Sequence, residues 1–160
     1  MDTTALRKAY DAFLDAAATL AEHDGPLRTP PEGEWDAEQI LAHVAIVSAA
    51  TLSTAWALAA GTQPIYDNRL SQDRWTMDRI AERAGGCAGL RDRIDRHAAA
   101  LCAFDGPALS AVELDTPIPA LLLSHNAVLV EGPVPMRDII SGLADAELPG
   151  HTDQLLALRP

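Results

Sequence analysis

The run Trp35-Asp36-Ala37-Glu38-Gln39-Ile40 constrains this chain more than any other stretch of it. Asp36 can accept the free N–H groups of a first helical turn, and Gln39, three residues on, can bond back to the Asp36 backbone, which together make a capping box. Trp35 before the cap and Ile40 after it are spaced as a hydrophobic staple. From this start the chain reads as helix to Ala60, and Gly61 ends it. Ile40, His43, Val47 and Ala50 share one face, so a histidine lies on an apolar stripe one to two turns into a well-started helix. The stretch from Ile40 to Ala60 is Ala-rich and carries His43, Ser48, Thr51, Ser53 and Thr54. That pattern suits a buried bundle helix better than a membrane span.

The remaining elements follow from periodicity and breakers. Leu6, Ala9, Phe13, Ala16 and Leu20 predict a first helix from about Thr4 to His23, stopped by Asp24-Gly25-Pro26. A Pro-rich connection, with Pro26, Pro30, Pro31 and Gly33, leads to the capped helix. A third helix is expected from Ser71, with Leu70 and Trp75 as its staple, and Gly85-Gly86 is expected to kink or split it. Its later half carries the stripe Leu90, Ile94, His97, Leu101 and Phe104. Asp105-Gly106-Pro107 ends it. Residues 108 to 134 lose helical periodicity and read as a long crossover with a short extended pair. The last helix is predicted from Pro135, which suits a first helical position, to about Leu158, with Ile140, Leu143, Glu147, His151 and Leu155 on one stripe. Pro149 must kink or locally open it, and a kink there would turn Glu147 away from His151.

These readings predict an all-α fold: one domain over residues 1–160, a four-helix bundle with a long crossover before its last helix. Composition agrees, because hydrophobic residues make up 48% and aromatics only 4%, so Ala, Leu, Ile and Val must build the core. Ala and Leu favour helices. The formal net charge of -11, from 23 acidic and 12 basic residues, opposes binding to nucleic acid or an anionic membrane surface. Arg91, Arg93 and Arg96 alternate with Asp92 and Asp95 as a solvated helix face. Cys87 and Cys102, if on one helix, stand about 22 Å apart, too far for a disulfide. Two thiols, and a start Met1-Asp2-Thr3-Thr4 that is no signal peptide, predict a cytoplasmic protein.

Three polar residues fall on stripes that should be apolar: His43, Glu147 and His151. Glu147 and His151, four apart, project from one helix face. Joined by an imidazole from a facing helix, they make a three-ligand site for a divalent metal such as Zn or Ni, with positions left open for water or substrate. The ordinary explanations are a hydrogen-bonded core histidine and a solvated Glu–His pair. Tyr66-Asp67-Asn68-Arg69 can line a pocket rim or simply bond its own backbone. His125, within Ser124-His125-Asn126 on the crossover, is placed to fold over a pocket mouth. Tyr66 and His125 are therefore the candidate substrate-binding residues. Neither cysteine has a basic neighbour that would make it a nucleophile, and no phosphate-binding Gly-rich loop, GxSxG, CxxC or HExxH occurs.

The segment from Trp35 through His43 to Ala45 resembles the second-helix motif of the DinB/YfiT-like superfamily, which includes the mycothiol-dependent maleylpyruvate isomerase N-terminal domains. The closing segment Gly142 to Arg159, with His151 followed by Gln154-Leu155, is similar to that family's last helix. The resemblance implies a four-helix bundle, often a homodimer. It also implies a divalent metal held by a histidine on the second helix and a pair on the last, with many members transferring or isomerising small molecules through a low-molecular-weight thiol. His43 and His151 match two ligand positions; Glu147 stands where the family has its remaining histidine. The resemblance therefore implies a metal-dependent thiol S-transferase or isomerase. Its alternative is a non-catalytic bundle that has lost the metal and binds a small ligand or itself.

Overall fold

The computed structural model describes residues 1–104, 108–124 and 127–160. It is mostly helical. Helix α1 spans Thr4–Ala21 and α2 spans Ala37–Ala59. The capping box forms as read: the Asp36 side chain accepts from the Gln39 N–H at 2.9 Å, and the Gln39 side chain accepts from the Asp36 N–H at 3.2 Å. A short strand β1 (Tyr66–Asp67) and helices α3 (Arg69–Gln72), α4 (Arg74–Ala84) and α5 (Cys87–Cys102) follow. Then come α6 (Ala111–Leu114), strands β2 (Pro117–Ser124) and β3 (Ala127–Pro135), helix α7 (Met136–Gly142), a π-helical turn (Leu143–Glu147) and α8 (Leu148–Ala157).

Helix α2 is central, packing against α4, α5 and α8, while α1 packs against α5, α8 and the π turn. The fully buried side chains, among them Tyr10, Phe13, Ile40, Leu90, Ile94, Leu101, Met136, Ile140, Leu148 and Leu155, fill the space between these helices. By length and composition α2 could cross a membrane, yet 61% of its most apolar window is buried within the fold, as suits a core helix.

The all-α expectation is corrected by a three-stranded sheet of order β1-β2-β3. The extended pair is not short: β2 and β3 run antiparallel through the later part of the crossover, after α6, and β1 joins β2 in parallel. Alternating Pro, Ile, Leu and Val side chains suit a pleated ribbon, and prolines fit where ladder N–H groups are not needed. The third helix also starts differently. Asp73, not Ser71, caps α4 by accepting from the Thr76 N–H, and Leu70 and Trp75 are exposed and form no buried staple.

The expected break at Gly85-Gly86 is real. Gly85 has φ +82° and Gly86 φ +81°, the left-handed region in which only glycine is comfortable, and the chain reverses there from α4 into α5. Gly89 is needed for another reason: a Cβ on it would lie 1.8 Å from the Ala84 carbonyl oxygen. Gly89→Ala is expected to destabilise the fold by about 1–3 kcal/mol through overpacking against rigid backbone, measured by urea unfolding. A variant as stable as the wild type would show that this turn adjusts freely.

Candidate metal centre and cavity

Pro149 shapes the site. It has no N–H for the carbonyl four residues back, and its ring crowds that carbonyl. The chain accommodates it by widening the turn Leu143–Glu147 to π geometry just before α8. Because the widening ends at Glu147, where α8 takes over at Leu148, the step from there to His151 keeps ordinary α spacing. The expected separation of the pair does not occur. The Glu147 Oε1 and His151 Nε2 atoms lie 3.5 Å apart.

His43 enters from α2. Only 1% of its side chain is exposed, against 12% for His151 and 34% for Glu147. Its Nε2 lies 2.7 Å from the same Glu147 Oε1. Each ring's other nitrogen has its own partner: His43 Nδ1 meets the Ser71 carbonyl oxygen at 2.8 Å, and His151 Nδ1 meets Gln154 Oε1 at 2.7 Å. A carbonyl oxygen only accepts, so each Nδ1 donates, and each Nε2 faces Glu147: with a proton it donates to the carboxylate, and without one it offers a lone pair to a cation. Metal-binding histidines are held in this way, by an acceptor fixing the tautomer from behind.

The three donor atoms all lie within 4.8 Å of one another. Ligands about 2.1 Å from one cation stand roughly 3 to 3.4 Å apart, so small side-chain adjustments would bring all three to bonding distance. Two imidazoles and one carboxylate are a donor set suited to Zn, Ni, Fe, Mn or Co. The residues fit a divalent cation.

Burial alone would push the Glu147 carboxyl up. The hydrogen bonds from His151 and His43, and the charge on those rings, outweigh it and hold the group well below the ordinary carboxylate range. Glu147 is therefore an anion at any ordinary pH. Trp35 covers the pair, its ring centroid 4.6 Å from that of His43 and 5.9 Å from that of His151.

The three residues form part of the wall of a cavity of about 460 Å³. Tyr66, a predicted binding residue, lines it. Its hydroxyl hydrogen-bonds the Thr51 hydroxyl at 3.2 Å. Burial first, and the nearby Glu147 charge as well, push its pKa up to about 12 against the hydrogen bond to Thr51. It stays neutral. Asn68 also lines the cavity, but its amide is occupied: it donates to the Leu123 carbonyl and accepts from the Leu123 N–H, fastening the β1–α3 junction to β2. His125 lies outside the described residues. Cys87 and Cys102 stand at opposite ends of α5. Burial, with Glu38 and Asp36 nearby, raises the Cys87 thiol, which disfavours the nucleophilic thiolate.

The sequence pattern singles out the three candidate ligands together but gives no role to three of their supports. Trp35 was read only as a staple, yet its ring lies on both imidazoles. Gln154, three residues after His151 on the same helix, was within reach of a spacing argument. The Ser71 carbonyl carries no side-chain signal at all.

No family model, no curated protein and no solved structure matches this chain.

Proposed function

We propose that this chain is a cytoplasmic four-helix bundle of the DinB/YfiT-like kind. In this reading His43, Glu147 and His151 hold one divalent cation in the wall of a small-molecule cavity. The protein then transfers or isomerises its substrate through a low-molecular-weight thiol. One observation carries the metal reading: both imidazoles commit Nδ1 to an acceptor and turn Nε2 to a single carboxylate oxygen. A bound cation would lower the pKa of a coordinated thiol or water. The chain's own residues supply the rest. Ser71 and Gln154 orient the rings, Glu147 adds negative charge, Trp35 shields the imidazoles from water, and neutral Tyr66 offers a polar wall.

Metal analysis of protein purified without a His tag tests this, with close to one equivalent of cation expected after incubation with Zn or Ni. Less than about a tenth of an equivalent sinks the proposal, as that cannot represent a site that holds the folded state. Chelation is expected to lower the melting temperature by several degrees, because a cation bound only by the folded chain stabilises it.

The 2.7 Å contact between His43 and Glu147 also favours a second reading. With Nδ1 donating to Ser71, that contact is a hydrogen bond in the metal-free protein when His43 also carries a proton on Nε2. The pair then bridges α2 and the last helical segment as an ion pair. The protein is then a non-catalytic bundle that binds a small ligand or pairs with itself, and its melting curve is indifferent to chelator.

A further inference from the structure

The cavity is chemically one-sided. Its described lining includes three carboxylates, Glu34, Asp138 and Glu147, and no lysine or arginine. Glu34 and Asp138 are exposed, which places them at the mouth, whereas Glu147 sits deeper beside fully buried His43. The net charge of -11 adds to the negative potential that such a concave, low-dielectric wall concentrates.

The sheet supplies an apolar surface. Leu122, Leu123, Leu129 and Val134 all line the cavity. The ladder pairs Leu122 with Val130 but Leu123 with Val128, so Leu129 is the extra residue of a β-bulge. A bulge re-aims the side chain it carries, and bulges recur beside binding sites. Leu129 is 71% exposed and still lines the cavity, so it stands at the lip as an apolar surface awaiting contact.

We propose that this cavity takes an uncharged or cationic small molecule with an apolar body and rejects anions. Glu34 and Asp138 set the charge preference, and Leu129 supplies apolar contact at the lip. The inference rests on the proposed function only in taking the cavity as a ligand site; it does not require the metal. An anionic group entering the mouth meets two rim carboxylates, while a cation is drawn by them. At separations of a few ångströms in a partly solvated site this amounts to roughly tenfold in affinity.

Three probes that share a phenyl body and differ in charge test it: benzyltrimethylammonium, benzyl alcohol and benzenesulfonate, titrated by calorimetry into chelator-stripped protein and into the same protein with one equivalent of Zn. The cation and the alcohol are expected to bind at least about tenfold more tightly than the sulfonate in the stripped protein. In the double variant Glu34→Gln, Asp138→Asn the ratio of cation to sulfonate should fall toward one while the alcohol is unaffected. Leu129→Ser should weaken cation and alcohol alike. Sulfonate binding as tight as that of the other two, or no measurable binding of any probe, overturns the proposal. A charge ratio that survives in the double variant overturns the assignment to the rim carboxylates. Zn stoichiometry on the same samples reports separately: the charge order without Zn uptake removes the metal reading alone, and Zn uptake without the charge order removes this inference alone.

Discussion

Glu147→Ala should lower the affinity for Zn by at least about a hundredfold, measured by competition with a chelating dye at neutral pH. Both Nε2 atoms face its Oε1, at 2.7 and 3.5 Å, so it joins two proposed ligands that come from different helices. A zinc site is worth on the order of 10–16 kcal/mol spread over about four ligands, or roughly 3 kcal/mol each. At about 1.4 kcal/mol per decade, that loss is about two decades. Removing the only anionic ligand also leaves the cation's charge less compensated, which pushes in the same direction. Glu147→His, which restores the histidine implied by the family resemblance, should keep binding within about tenfold, because an imidazole also ligates Zn well. Undiminished Zn affinity in Glu147→Ala would place the cation elsewhere and end the proposed assignment.

That carboxylate also shows how much of the site was legible in the sequence. Glu147 and His151 stood out because two polar residues occupied an apolar stripe at i,i+4, and His43 because it occupied the same kind of stripe behind a strong cap. All three are brought together in the structure. Spacing misjudged the effect of Pro149. A proline removes one hydrogen bond and crowds one carbonyl, but sequence does not say whether the chain answers with a kink or a widened turn. Here it widened over the turn that ends at Glu147, and the pair stayed in register.

The fold was legible where one element's periodicity decides it and illegible where two distant segments decide it. α1, α2 and α5 follow from their stripes and breakers. β1 has only two residues and exists because Tyr66 and Asp67 pair with Ala120 and Leu121, more than fifty positions away; nothing local marks it. Trp35 shows the same limit, since a staple and a ring cover start from the same position before the cap. Ser48 and Thr51 on α2 spoke in the sequence only against a membrane span. In the structure each meets a buried tyrosine from another element: Tyr10 reaches Ser48 at 2.8 Å, and Tyr66 reaches Thr51 at 3.2 Å.

Those two tyrosines predict a steep loss of stability in alkali. Both are almost wholly buried, and their phenolates would have to form away from water. Burial pushes Tyr66 up to about 12 and drives Tyr10 higher still, each against the hydrogen bond to its hydroxyl partner. A folded-state value above the unfolded value near 10 means that the unfolded chain releases these protons first. The contribution is therefore fully present below about pH 10 and is lost as pH rises through the folded values. Between about pH 10 and 12 each tyrosine removes up to about 1.4 kcal/mol per pH unit, so Tyr66 alone accounts for roughly 2–3 kcal/mol and Tyr10 for at least as much. Set against a typical total of about 5–15 kcal/mol, the pair brings the protein to the edge of unfolding. Urea midpoints from pH 8 to pH 12, read with phenolate absorbance, should fall together above pH 10. Tyr10→Phe and Tyr66→Phe should each flatten the fall by one proton's share, whatever their effect at neutral pH. Midpoints that stay level to pH 12 in the wild type would mean that the phenols ionise within the fold, and that α2 does not hold them in the dry interior on which the cavity wall at Tyr66 depends.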